Sequence, residues 1–414
     1  MPSLRLGAFL ACLYWMIAAV HAEVGATMTA EAMTARATEE LHQGRAKAAL
    51  YWLEMAQRKG GEGVALHYNA GVAYRQLGRH QQAVLAFEKA RAVAPNAPQL
   101  AYGLATALQT LNRHDEALPI LRRALELSPG RAEIHLGLGK ALAETGAMEE
   151  ALESLLRAGE LDPQAAEPAF SAGLLLLRLG RTAAAVDELA RATARDSAHV
   201  EAHVELGQAL LLLGDSSAAT AALEQATARA PRNRHAHYLL ARAYAGPELA
   251  SRRDSALSRF RTLSAAARLH RQAAQLEERG EFEGAIREWA RAAAADTGWA
   301  VPHLLMGEAQ LHMGRSAAAR SAFARARALA PSSVQALYGL GRVHLQADSL
   351  QAALRALAQV LANNPNHIDA NYEAGMAALQ LDNREQARQY FMRVLTLDPG
   401  HGAARSALAA LPGN

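Results

Sequence analysis

The sequence repeats itself with a period of 34 residues, and this period constrains the fold more than any other feature. The pattern G-R-x3-A-x3-F-x2-A-x4-P occurs at residues 78–95 and again at residues 314–331. A period of this length is typical of arrays in which each repeat is one small supersecondary unit stacked on its neighbours. The repeats begin at residues 30, 64, 98, 132, 166, 200, 234, 266, 300, 334 and 368.

The pattern within each repeat predicts two helices joined by a tight turn. Apolar residues recur with helical spacing at positions 4, 7, 8, 10 and 11, and again at positions 20, 21, 24, 27 and 28. In the regular repeats position 15 is Gly, Asn or Asp, which suit the left-handed residue that ends a helix. Pro occupies position 32 in seven of the ten regular repeats and is predicted to end the second helix there. No stretch alternates with a period of two, so the sequence predicts no strands.

Side-chain size within the repeat predicts how the helices pack. Position 8 is Gly or Ala in every repeat, and position 20 is Ala in all ten regular repeats. Position 24 is large and apolar, and burying one such side chain contributes about 1.5–3 kcal/mol. Small residues let two helices approach closely, and the large residue fills the remaining space. Because one hairpin cannot bury its own apolar face, neighbouring repeats are expected to stack.

The second repeat carries the most complete set of these residues, namely Ala70, Gly71, Tyr74, Ala83, Phe87, Ala90 and Pro95. In this set the chain resembles the tetratricopeptide repeat family, and the resemblance covers residues 30–401. It implies an all-α fold, a right-handed superhelical solenoid of about eleven helix-turn-helix repeats. It also implies that the first helices line a concave groove that binds peptides or protein segments.

The repeat that begins at residue 234 departs from the period. A Gly246-Pro247 turn follows its first helix, and residues 250–279 contain neither Gly nor Pro. The sequence predicts one long helix there, or two helices with a bend near residue 265. An eroded repeat without consequence is the alternative interpretation.

The predicted organisation is a signal peptide at 1–22, a flexible lead at 23–29, an N-terminal lobe at 30–245, an irregular connection at 246–265, a C-terminal lobe at 266–401, and a capping helix and tail at 402–414.

The first 22 residues have the pattern of a secretory signal peptide. Arg5 precedes an apolar run from Leu6 to Val20, and small residues precede the expected cleavage after Ala22. The pattern predicts a periplasmic or secreted protein with no membrane span after cleavage. The alternative is an N-terminal anchor facing the periplasm, for which the apolar run is shorter than the roughly 20 residues of a membrane span.

Cys12 is the only cysteine in the sequence, which excludes disulfides within one chain.

Sequence motifs for catalysis or nucleotide binding are absent from the chain. We therefore expect no catalytic residues, no metal and no cofactor, and a protein that is not an enzyme. His199 and His203 have the i, i+4 spacing of zinc ligands, but a structural role in a turn and on a buried helix face is the preferred interpretation. The formal net charge of +3 predicts no strong attraction for nucleic acid.

By the resemblance, positions 2, 5, 9, 12 and 13 of each repeat face the groove. Position 5 is rich in Tyr, whose flat apolar face and polar tip suit recognition. The alternative is that these rings pack on neighbouring helices. Charges of both signs in the groove argue against a polyanionic partner. The predicted partner-binding residues are Tyr68, Arg75, Tyr102, Lys140, Phe170, Arg178, Tyr238, Arg242, Tyr338, Arg342 and Tyr372.

The predicted function is a non-catalytic scaffold that binds a protein or peptide segment and supports assembly of an envelope or secretion complex. The alternative is an accessory protein of exported polysaccharide handling that binds glycan through the groove tyrosines. RNA binding is disfavoured by the export pattern and by acidic residues at position 2, and an enzyme by the use of residues 30–401 for repeats. The identity of the partner, the pathway and the oligomeric state are left open by the sequence.

Overall fold

The chain is an all-α solenoid of helical hairpins, as the sequence predicted. The computed structural model describes residues 28–411, and within that range every regular element is helical and no strand occurs. The predicted signal peptide, most of the predicted flexible lead and the end of the predicted tail lie outside the described residues. Thr29 directly precedes the first described helix, and its hydroxyl accepts a hydrogen bond from the Ala32 N–H.

The first helices of the repeats, which we call the A helices, each begin at or close to the start of a repeat. The second helices, called the B helices, follow after a short turn. The A helices are Ala30–His42, Val64–Gln76, Pro98–Thr110, Ala132–Thr145, Ala166–Arg178, Val200–Leu212, Arg234–Ala243, Ala300–His312, Val334–Gln346 and Ile368–Gln380. The B helices are Ala46–Arg58, His80–Val93, His114–Leu127, Met148–Leu161, Thr182–Arg195, Ser216–Arg229, Phe282–Ala295, Ser316–Leu329, Leu350–Asn363 and Arg384–Leu397.

The irregular repeat is built differently. A 3-10 turn, Pro247–Leu249, follows the short A helix Arg234–Ala243, and a single helix then spans Ala250–Glu278. Of the two alternatives that the absence of Gly and Pro allowed, the structure has the single long helix. Near the C-terminus of the chain the helix Gly402–Ala410 follows the last repeat, at the place predicted for a capping helix.

The turn between the two helices of a repeat uses the residue types predicted at position 15. Gly78 has a φ of 70°, and Asn112, Asp348 and Asp382 adopt the same left-handed conformation with φ of 57°, 53° and 56°. Asn and Asp tolerate this region better than other L-residues because their short polar side chains hydrogen-bond locally. The prediction at position 15 is confirmed.

In the repeats with Gly at position 8, the core of the hairpin depends on a close approach between this residue and position 24. A Cβ atom added at Gly139 would lie 2.6 Å from Leu155 Cγ and 3.0 Å from the backbone oxygen of Ala151. The same relation holds in the last repeat, where a Cβ at Gly375 would lie 2.6 Å from a ring carbon of Phe391. Leu155 and Phe391 are buried. The predicted packing of small residues against a large one is confirmed.

The contacts of the chain divide it into two compact units. Among the described residues the first unit contains 28–62 and 265–411, and the second contains 63–264. Within the first unit the B helix Ala46–Arg58 contacts the B helix Arg384–Leu397, and Lys47 Nζ lies 3.5 Å from Asp398 Oδ2. Within the second unit each B helix packs against the A helix of the following repeat. The lobes predicted from the sequence, 30–245 and 266–401, stay a prediction.

Among residues 28–411, no helix combines the length and the apolar character needed to cross a membrane.

A matched pair of substitutions in the fourth repeat tests the close approach. Gly139 and Gly159 both lie inside helices, but a Cβ at Gly159 would meet only Pro168 Cβ, at an ordinary 3.7 Å. Gly159→Ala is expected to stabilise the chain by about 1 kcal/mol through helix propensity. Gly139→Ala is expected to lose this gain, because overpacking costs roughly 1–3 kcal/mol. Urea unfolding of the two variants measures the difference, and equal stabilities would contradict the packing role of position 8.

Candidate functional site

A cleft lies along the A helices of four consecutive repeats in the second compact unit. Its volume is about 710 Å³. Helices Pro98–Thr110, Ala132–Thr145, Ala166–Arg178 and Val200–Leu212 supply most of its lining. We call it the main cleft.

One face of the helix Ala166–Arg178 forms the apolar wall of the main cleft. Phe170, Leu174 and Leu177 line it and are half-buried. They lie three or four residues apart, so the 3.6-residue period of the helix places them on one face. Glu167 and Arg178 line the cleft near the two ends of the same helix. The wall is therefore apolar in its middle and charged at its ends.

The cationic side chains of the main cleft are paired with carboxylates. Lys140 Nζ lies 2.6 Å from Glu167 Oε1, and a guanidinium nitrogen of Arg178 lies 3.4 Å from Glu144 Oε1. All four side chains are more than 40% exposed, and exposed pairs of this kind contribute about 0–1 kcal/mol to stability. They neutralise each other's charge and leave little positive potential for an incoming anion.

A further carboxylate of the main cleft lacks such a partner. Glu205 is half-buried and has no hydrogen-bond or ion-pair partner among residues 28–411. Burial raises the pKa of its carboxyl group, and the nearby His235 imidazole opposes that shift. The Nε2 atom of His235 lies 3.3 Å from the Oε1 atom of the cleft residue Gln208.

The rings at position 5 pack on the chain itself. The centroid of the Phe170 ring lies 4.5 Å from that of His199. His199 is the N-cap of the following A helix, and its Nδ1 accepts a hydrogen bond from the Ala202 N–H at 3.2 Å. The same ring contact recurs between Tyr338 and His367 and between Tyr372 and His401, and both of these histidines are also N-caps. These rings thus link one repeat to the start of the next.

The main cleft brings together three of the predicted partner-binding residues, Lys140, Phe170 and Arg178. Tyr238 lines a second cleft of about 510 Å³ in the same compact unit, beside Phe260. The Arg242 guanidinium carbon lies 6.0 Å from the centroid of the Tyr238 ring.

The remaining predicted residues of the second compact unit lie outside these clefts. The Tyr68 ring packs 5.7 Å from the ring of Phe87, and Tyr102 and Arg75 are half-buried. A Cβ atom added at Gly137 would lie 3.8 Å from Tyr102 Cε2, so this ring covers the following A helix. The use of the eleven predicted residues by a partner stays a prediction.

In the first compact unit, two predicted residues surround a half-buried carboxylate. The Tyr338 hydroxyl donates a hydrogen bond of 2.8 Å to Glu373 Oε1, and the Arg342 guanidinium lies 5.9 Å from the Tyr338 ring centroid. Arg342 also pairs with Glu308 at 2.8 Å. Burial raises the pKa of Glu373, against the opposing effects of the Tyr338 hydrogen bond and the Arg342 charge. Burial also raises the pKa of Tyr338.

The two histidines with zinc-ligand spacing have structural contacts. His199 caps a helix as described, and His203 Nε2 lies 3.0 Å from the backbone oxygen of Ser197. Burial lowers the pKa of His203. A cluster of three or more residues suited to hold a metal ion does not occur within residues 28–411.

The sequence interpretation missed the polar residues of the main cleft at positions 6, 9 and 12. Glu205 lies at position 6, which is Gly in the third and fourth repeats and Ser171 in the fifth. A charged residue at a position that is small in the three preceding repeats was therefore the available indication. Gln109 and Gln208 lie at positions that face the groove by the resemblance, but they carry no charge or ring to single them out.

Comparison with known families matches the chain to the tetratricopeptide repeat. Three family models with this description match residues 64–97, 102–166, 176–244, 304–368 and 344–411. A comparison with curated proteins finds no match.

Several solved structures are similar to parts of the chain. PilF from Pseudomonas aeruginosa has 22% identity and a TM-score of 0.44, over 50% of this chain and 90% of its own. MamA from Desulfovibrio magneticus RS-1 has 23% identity and a TM-score of 0.39, over 41% of this chain and 96% of its own. YrrB, a tetratricopeptide repeat protein with an unusual peptide-binding site, has 22% identity and a TM-score of 0.38, over 44% of this chain and 95% of its own.

Two substitutions of His199 separate its capping role from its ring contact. Both His199→Asn and His199→Ala remove the ring, but Asn restores an N-cap acceptor, as Asn233 does one repeat later. We expect the Ala variant to be less stable than the Asn variant by about 1 kcal/mol, because an uncapped helix start leaves a backbone N–H without its partner. Denaturant unfolding measures the difference, and variants of equal stability would rule out a capping role.

The raised pKa of Glu373 predicts a pH dependence of stability. Between the ordinary pKa and the raised one, the folded chain holds a proton that the unfolded chain has released, so stability falls as pH rises through this window. Glu373→Gln cannot titrate, although its Oε1 can still accept from Tyr338. We expect the stability of the variant relative to the natural chain to increase with pH, as measured by thermal unfolding from acid to neutral pH. A pH-independent difference would show that the Glu373 pKa is not raised.

Proposed function

This chain belongs to the tetratricopeptide repeat family, and from that premise we propose that it is a non-catalytic scaffold that binds a peptide or protein segment along its A helices. The observation that carries the proposal is the main cleft, about 710 Å³ in volume with an apolar wall and polar edges. Ligand sites in proteins typically have volumes of about 300–1,000 Å³ and combine an apolar lining with a few polar groups that fix orientation.

The side chains of the main cleft suit an extended segment. Phe170, Leu174 and Leu177 provide an apolar surface for one or two side chains of the partner. Gln208 and Ser171 offer amide and hydroxyl groups that can bond to the partner's backbone. Gln109 Nε2 already donates to the Gly137 backbone oxygen at 2.7 Å, which leaves its carbonyl oxygen as an acceptor. A bound segment could thus bury apolar surface without leaving its own backbone groups unpaired.

We further propose that the partner belongs to an envelope or secretion complex. This part of the proposal rests on the signal-peptide pattern of residues 1–22, which lie outside the described structure. Cell fractionation combined with N-terminal sequencing of the mature protein tests it. Retention of the protein in the cytoplasm with an intact N-terminus would exclude this location.

Two substitutions of leucine by glutamine test the main cleft. Leu174 lines the apolar wall, whereas Leu85 is 52% exposed in the same compact unit and does not line the cleft. Peptides are first selected from a random library on the natural chain, and their affinities are then measured by calorimetry. We expect Leu174→Gln to weaken binding about tenfold, or 1.4 kcal/mol, and Leu85→Gln to leave it unchanged. Equal binding to both variants would place the segment elsewhere, and a library without binders would refute the proposed function.

A further inference from the structure

The main cleft also carries information about which segments it accepts. Resting on the proposed function, we propose that it selects segments in which a lysine or arginine lies beside an apolar residue, and that Glu205 receives the cationic group. The proposal depends on a comparison between two glutamates of this chain that occupy the same position in different repeats.

Glu205 and Glu373 both lie at position 6 of their repeats. In each case the position-5 ring of the preceding repeat stacks on the histidine that caps the glutamate's own helix, Phe170 on His199 and Tyr338 on His367. The two carboxylates thus share their position in the repeat and the ring contact beside it.

The surroundings of Glu373 supply part of what its carboxylate needs, although its Oε2 atom is buried without a hydrogen-bond partner. The Tyr338 hydroxyl donates to it at 2.8 Å, and the Arg342 guanidinium stabilises its charge. Tyr338 and Arg342 stand at positions 5 and 9 of the preceding repeat. The chain itself thus provides a hydroxyl and a guanidinium for a half-buried glutamate at position 6.

The surroundings of Glu205 lack both groups. Position 5 of the preceding repeat is Phe170, which has no hydroxyl, and position 9 is Leu174, which has no charge. Both residues line the main cleft together with Glu205. The place that the Arg342 side chain occupies at the equivalent site is here taken by a shorter apolar side chain beside open space. An arginine or lysine of a bound segment can enter that space and reach the carboxylate.

The other charges of the cleft favour a cation as well. Lys140 is paired with Glu167 and Arg178 with Glu144, so an acidic segment would have to compete with these carboxylates for the two cationic groups. Three carboxylates and two cationic side chains line the main cleft, and Glu205 is the carboxylate of this lining without an ion pair, although the nearby His235 imidazole favours its charged form. Burial raises the pKa of Glu205 because it disfavours the charged carboxylate. An ion pair with a bound guanidinium would offset this effect.

The apolar wall completes the recognition of such a segment. Arginine and lysine bury their aliphatic stems on apolar surface while the charged end seeks a polar partner. Phe170 and Leu174 offer that surface next to Glu205 in the same cleft. A neighbouring apolar side chain of the segment can contact Leu177, farther along the helix face. Recognition therefore requires both a cation and an apolar residue.

A random heptapeptide library displayed on phage tests the selectivity on the full chain. We expect the selected peptides to be enriched in Arg or Lys next to an apolar residue. Enrichment in Asp or Glu, or selection without any charge preference, would overturn this inference while leaving the proposed function in place. The absence of any selected peptide would instead refute the proposed function itself.

Variants of Glu205 test the assigned residue, with a selected peptide and its citrulline analogue as probes. Citrulline keeps the shape of arginine without its charge. For Glu205→Gln we expect the affinity for the arginine peptide to fall at least about tenfold, to the level of the citrulline peptide. The control is Glu153→Gln, an exposed glutamate of the same compact unit outside the main cleft, which is expected to bind as the natural chain does. Unchanged discrimination between the two peptides in Glu205→Gln would overturn the assignment.

A third variant recreates the Glu373 site within the main cleft. Leu174→Arg places a guanidinium where Arg342 stands in its own repeat. We expect this variant to keep its helical content, to be more stable than Leu174→Gln, and to lose binding of the arginine peptide, because the charge of its own guanidinium then stabilises the carboxylate and repels a second cation. Retained binding of the arginine peptide by Leu174→Arg would show that the cation binds elsewhere.

Discussion

The close contact between position 8 and position 24 is the interaction on which the rest of the structure depends. Gly139 lies against Leu155 in the fourth repeat, and Gly375 lies against Phe391 in the last. Because glycine has no Cβ, the two helices of such a hairpin can lie close together. A side chain at these positions would require a neighbouring residue to move. This contact uses one face of each A helix and leaves another free to line the main cleft.

The order between repeats depends on a second kind of contact, between a ring and a helix start. Phe170 stacks on His199, and His199 at the same time caps the helix Val200–Leu212. The ring that forms part of the apolar wall is thus held by the same residue that begins the next A helix. Since both helices line the main cleft, their relative placement determines the distance between the apolar wall and Glu205.

Contacts within a hairpin were predictable from the sequence, whereas for contacts between repeats the sequence predicted the stacking but not the partners of each side chain. The left-handed turns at Asn112 and Asp382 and the burial of Leu155 follow from residues close together in one period. The capping histidines meet rings of the preceding repeat, and the period does not show which side chains of two repeats face each other. The same small and large positions recur in successive repeats. The period therefore could not reveal that the helix Ala46–Arg58 contacts the helix Arg384–Leu397.

The charge at position 6 is a cost that folding alone does not explain. Gly103 and Gly137 occupy this position in two other repeats of the same compact unit, so packing there requires no carboxylate. A half-buried carboxylate without a partner destabilises the folded chain, because burial disfavours its charged form. At Glu373 the chain offsets part of this cost with Tyr338 and Arg342. At Glu205 the corresponding side chains are apolar and the opposing charge that the chain supplies is that of the nearby His235 imidazole, so a cationic segment in the main cleft is the proposed partner that would supply the rest of the offset.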